Sequence, residues 1–163
     1  DSDHALVVYT EEGGAQMSAV VNRLQGLTGA GVVKLNSGGP PRHDPTLASA
    51  GGAVYLAWRE PVSSPPTDGG WSAEYDELFV QKLVWNGQTL DASSAPISLP
   101  RREVHRVGDQ VRPSLVSVPL APGGGILAAW EDLFVTNFDG QSKYADVVLE
   151  LIPTPILRTA GVQ

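Results

Sequence analysis

The feature that most constrains this chain is a pair of strands written more than once. His43-Asp44-Pro45-Thr46-Leu47-Ala48-Ser49 lies over Val111-Arg112-Pro113-Ser114-Leu115-Val116-Ser117. A glycine turn follows each, Gly51-Gly52 in one and Gly123-Gly124-Gly125 in the other. Then Val54-Tyr55-Leu56-Ala57-Trp58-Arg59-Glu60 matches Ile126-Leu127-Ala128-Ala129-Trp130-Glu131-Asp132. Leu6-Val7-Val8-Tyr9-Thr10-Glu11 is a third copy of that second strand, with Tyr9 in the tryptophan position. Repetition at this scale decides architecture before any local propensity does, because one unit cannot bury its apolar face alone.

Each unit continues with a third strand: Ser18 to Leu24, Glu77 to Leu83 and Asp146 to Leu151. Alternation is partial in these runs, and their β-branched content favours strand over helix. A short fourth strand follows at Val32 to Leu35, Pro96 to Leu99 and Pro155 to Leu157. Glycine and proline make up about a fifth of the chain and fall between the apolar runs as turn punctuation. The expectation is an all-β fold of antiparallel four-stranded meanders in one domain, with units at 1–38, 39–100 and 101–163. The spacing from Tyr9 to Trp58 is shorter than that from Trp58 to Trp130, and most of the difference is loop.

Trp130-Glu131-Asp132 and Glu77-Leu78-Phe79-Val80-Gln81-Lys82-Leu83 carry a resemblance to the repeats of bacterial secreted β-propellers. In those repeats a proline-containing strand precedes a strand ending in Trp, one residue and an acid. The resemblance covers almost the whole chain, rests on a short degenerate motif, and implies fold far more than function. It implies about three blades, in which Trp58 and Trp130 pack between neighbours and Pro45 and Pro113 mark strand starts. The first unit lacks its first strand, so eleven strands are expected, and a closed propeller needs at least about four blades. Three blades leave an apolar face and an edge open at each end. Either a second copy closes the ring or another protein chain supplies the remaining blades, and the missing first strand favours a cut chain with a bound partner.

Composition narrows the function classes. A formal charge of −7 argues against nucleic acid, whose binding draws on clustered Lys and Arg, and Arg101, Arg102 and Arg106 form too small a cluster to reverse this. No apolar run reaches the roughly 18 residues of a membrane span. Zero cysteine removes disulfides, thiolate metal sites, cysteine nucleophiles and covalent c-type haem together. The start at Asp1 without methionine is read as a mature, exported product, periplasmic or extracellular.

Propeller geometry would send the second-to-third and fourth-to-first connections to one face, and the long segments fall there, against tighter turns expected at Ala50 to Ala53 and Gly87 to Ala95. The segment Arg59 to Asp76 carries Arg59, Glu60, Trp71, Tyr75 and Asp76, an aromatic and acidic set suited to sugar stacking or to a protein contact. The segment Glu131 to Ala145 carries Glu131, Asp132 and Asp139, oxygen ligands for a hard cation such as calcium, although solvated acids read as well. His43 and His105 stand on fourth-to-first connections and offer imidazoles to a transition metal without a ligand signature, and Arg101 and Arg102, beside His105, are further candidates for the partner face. Enzyme motifs are absent: no Gly-x-Ser-x-Gly, phosphate loop, His-Glu-x-x-His or Ser-x-Asp-x-Gly-x-Thr-Trp box occurs. Three functions stay open. They are a scaffold or recognition surface in a multichain protein, a carbohydrate-binding or carbohydrate-processing propeller, and a subunit of a metal or redox enzyme.

Overall fold

The computed structural model describes residues 4–12, 16–22, 33–34, 39–63, 74–85, 90–99, 109–119, 124–135 and 143–153. All eleven elements among them are strands, and every pairing is antiparallel. They form three separate sheets, and no sheet closes on itself. The first sheet runs β1 (His4–Thr10), β2 (Gln16–Asn22), β3 (Val33–Lys34). The second contains β4 (His43–Ala50), β5 (Ala53–Ser63), β6 (Glu74–Trp85), β7 (Leu90–Ala92) and β8 (Ile97–Ser98), the last two both on β6. The third runs β9 (Gln110–Val118), β10 (Gly125–Val135), β11 (Lys143–Pro153).

The β4–β5 hairpin turns through Gly51 and Gly52, both at positive φ (57° and 77°) between the pair Ala50 and Ala53. Two successive left-handed residues make the turn whose twist matches a hairpin, and glycine reaches that conformation at least steric cost. Further along, the ladder skips. His43 pairs with Arg59 and Thr46 with Ala57, leaving Asp44 and Pro45 opposite Trp58 alone. Likewise Val111 pairs with Glu131 and Ser114 with Ala129, leaving Arg112 and Pro113 opposite Trp130. Asp44 and Arg112 both take positive φ, 50° and 53°. The two prolines therefore sit at bulges inside their strands and not at strand starts, because a bulge leaves a position where no N–H is required.

Three other expectations shift. The strands flanking the second connection reach to Ser63 and back to Glu74, with Arg59 paired to Leu78, Glu60 to Glu77 and Pro61 to Asp76. Arg59, Glu60, Tyr75 and Asp76 are thus strand residues and not loop residues. The same holds for Glu131 and Asp132, since β10 and β11 pair as far as Val135 and Lys143. These charged residues do not end the strands: Arg59 is held by Asp44 and Asp76, Glu60 by Arg42 and Glu131 by Arg112, although Glu60 faces Glu77 and Asp132 faces Asp146 in the ladder. The stretch from Gly87 to Ala95, expected as a turn, contains β7. Between β7 and β8 the edge bulges at Ser93 and Ser94, held as the Ser93 amide donates to the Lys82 carbonyl (3.0 Å) and Gln81 Nε2 to the Ser94 carbonyl (2.7 Å).

The middle sheet is apolar on both faces. Leu56, Trp58, Leu83 and Leu90 form a cluster on one side, against which Val8 of β1 packs. On the other side Tyr55, Ala57, Leu78 and Val80 join Leu115, Ile126, Ala128, Trp130 and Ile152 of the third sheet. Burial on both faces explains why β5 reads as a near-continuous apolar run. The order of packing is first sheet, middle sheet, third sheet, with β4 lying beside both β1 and β9.

Side chains from β9 and the residue before it also complete the edge of β6. Leu99 N donates to the Leu78 carbonyl (2.8 Å). Gln110, fully buried, accepts the Leu78 amide through Oε1 at 3.1 Å, and Asp109 Oδ1 accepts the Asp76 amide at 3.0 Å.

Candidate functional site

The described candidates of the long-connection face gather at one end of the sheets, where β4 and β9 begin and β5 and β10 end. Local chemistry explains their positions. A left-handed Asp44 turns its carboxylate across the bulge onto Arg59 Nε at 2.6 Å, and the Arg59 guanidinium also donates to Asp76. Burial pulls the Arg59 guanidinium down, but Asp44 and Asp76 more than offset this and hold it above its ordinary value. In the third sheet, Arg112 donates to both carboxylate oxygens of Glu131 at 2.9 Å. The positions correspond strand for strand with the signs exchanged: acid on the bulge and base on the strand in one, base on the bulge and acid on the strand in the other.

A second group lies beside it. Glu60 Oε2 accepts from the Trp58 indole (2.9 Å) and from Arg42 Nε (3.2 Å). The Arg42 guanidinium stands 4.2 Å from the centre of the Trp58 ring, and Phe79 stacks on that ring at 6.0 Å and 20°. The indole is thus held by ring stacking, a cation and a charge-assisted hydrogen bond at once. Trp130, in the corresponding place, is equally buried, yet its Nε1 has no partner among the described residues. Asp132 there is one methylene shorter than Glu60.

Of the sequence-derived candidates, Arg59 and Asp76 are brought together, and Glu60, Glu131 and Asp132 stand on the same end of neighbouring hairpins. Asp132 is 8% exposed and pairs with Gln110 and Asp146 across the ladder. His43 pairs with Arg59 in β4–β5. Among the described residues no three His, Asp or Glu side chains converge as metal ligands. Trp71, Arg101, Arg102, His105 and Asp139 lie outside the described residues. Arg42, Asp44, Asp109, Gln110 and Arg112 were missed as site residues. Writing the two copies one above the other would have flagged Asp44 with Arg59 and Arg112 with Glu131, since opposite charges change places there.

As chemistry, this end is a mixed-charge surface in which Asp44, Glu60, Asp76, Asp109 and Glu131 are engaged by arginines, an indole or a backbone amide. It suits polar recognition and the locking of strand ends. At the other end, an open, mainly apolar groove of about 840 Å³ lies between the Gly51-Gly52 turn and Ser117 to Pro119. No helix among the described residues is long and apolar enough to cross a membrane. The chain matches no protein-family model, and no curated protein or solved structure is significantly similar to it.

Proposed function

We propose that the chain is a section of a β-propeller, about three blades, serving as a scaffold and recognition surface within an exported multichain protein. One observation carries this reading. Leu78 and Val80 of the middle sheet are fully buried, whereas Val147 and Leu149, at the same register positions of the third sheet, are 71% and 64% exposed. A face built like a covered one, yet left open, fits an array that continues beyond these three sheets. The side-by-side placement of β1, β4 and β9 supports an arrangement around a common axis, with the mixed-charge end as the recognition face.

The test is native mass spectrometry with electron microscopy of material isolated without denaturant. The expected result is an assembly heavier than one chain, seen as a disc with a central channel. A stable, compact, monodisperse single chain without a channel would overturn the reading.

A further inference from the structure

The two ends of the stack are open in different ways. Successive sheets use opposite faces to meet their neighbours. Leu56 and Trp58 of the middle sheet face the first sheet, and Ala128 and Trp130 of the third face the middle sheet in the same manner. The matching residues of β1 are Val7 and Tyr9. Val8 between them points into the middle sheet, so Val7 and Tyr9 point away from it, and they are 40% and 36% exposed. Their counterparts Leu56 and Trp58 are fully buried. The first sheet therefore exposes the aromatic-bearing face that elsewhere covers a neighbour. The third sheet exposes the receiving face, with Val116, Val147, Leu149 and Leu151 uncovered.

We infer that these two faces bind each other between two copies of the chain, the Val7 and Tyr9 face of one copy on the Val147 and Leu149 face of the other. The inference rests on the propeller reading and names the partner within it. Two identical copies joined this way form two equivalent head-to-tail contacts, so that six sheets close into a ring with neither face left open. A face-to-face pairing of two third sheets would instead leave both Tyr9 faces uncovered.

Sedimentation velocity on the purified chain tests the inference with two variants, Tyr9→Glu and the double variant Val147→Glu/Leu149→Glu. The altered side chains are exposed in a single chain, and circular dichroism checks that both variants fold. The expected result is a dimer for the unaltered chain. Each variant should dissociate with a Kd raised at least about a hundredfold, because an unpaired carboxylate is forced into an apolar contact. Mixing the two variants should restore association in part, since the pair keeps one unaltered contact.

A Tyr9→Glu variant that dimerises like the unaltered chain would overturn the inference, as would open polymers in place of dimers. A monomeric unaltered chain would overturn it too. If that monomer is nevertheless found within a larger channelled disc in native material, the propeller reading stands and the covering sheet belongs to a different chain. If it is a lone compact particle in native material, both fail.

Discussion

Replacing each buried tryptophan by phenylalanine separates two sites that look alike by burial and differ in polar satisfaction. Trp58 and Trp130 are 0% and 2% exposed, so Trp→Phe removes a similar volume of ring from each. At Trp58 the change also deletes the hydrogen bond to Glu60, a charge-assisted bond with a net contribution of about 1.5–3 kcal/mol. It weakens the Arg42 contact too, since indole is the best cation acceptor. At Trp130 the change deletes an indole N–H that has no partner among the described residues, relieving a desolvation penalty of about 1–3 kcal/mol. The low ends of the two ranges together put Trp58→Phe at least about 2.5 kcal/mol below Trp130→Phe in stability. For a chain of this size that corresponds to about 7 °C in Tm. Urea and thermal unfolding of the two variants and the unaltered protein, followed by circular dichroism, measure the gap. Equal destabilisation, or a larger loss at Trp130, would refute the argument that polar satisfaction distinguishes the two sites.

Other expectations follow from single contacts. Arg59→Glu alone sets its new carboxylate against Asp44 and Asp76 and should cost about 1–2 kcal/mol. Adding Asp44→Arg, which copies the Arg112–Glu131 arrangement, should recover at least half of that in denaturant titrations. No recovery would show that the two bulges are not interchangeable. Burial raises the pKa of Tyr55 above its ordinary value of 10.0. Because the folded value lies above the unfolded one, its contribution to stability is full below pH 10 and lost as pH rises through the folded value. Tyr55→Phe should flatten that alkaline decline between pH 9 and pH 11, and an unchanged slope would count against it. Gly51→Asn should be neutral or stabilising by about 0.5 kcal/mol, because asparagine tolerates the left-handed region and narrows the unfolded ensemble. Gly51→Val should instead cost more than about 1 kcal/mol, and equal effects of the two would contradict the turn assignment.

Much of the strand pattern was legible because it depends on short-range chemistry. The aligned segments around Pro45 and Pro113 do lie in β4 and β9, and those ending in Trp58 and Trp130 do lie in β5 and β10. Trp58 and Trp130 share a place because volume at that point is shaped by the neighbouring sheet. What stayed hidden depends on partners distant in sequence. The strands ran on through Arg59, Glu60 and Glu131 because Asp44, Asp76, Arg42 and Arg112 hold them from distant positions, and local polarity alone reads such residues as loop. The prolines sat at bulges because the ladder skipped a residue, which only the register reveals. Gln110 carried no signal at all, since its role is set by an amide 32 residues away. Of the candidate residues, Arg59, Glu60, Asp76, Glu131 and Asp132 lie at one end of the sheets, but the neighbouring Arg42, Asp44, Asp109 and Arg112 were invisible without the pairing.

The closing of the β6 edge by Asp109 and Gln110 has a consequence for how this chain melts. A sheet that completes its own ladder can open independently of its neighbour. Here the amides of Asp76 and Leu78 keep their partners only while β9 is in place. Loss of the third sheet strips an acceptor from a buried amide of the middle one, so thermal fluctuations in one sheet are transmitted to the next through two hydrogen bonds. The Leu78 amide should exchange its proton with solvent at the rate of the third sheet's opening, although it belongs to the middle sheet.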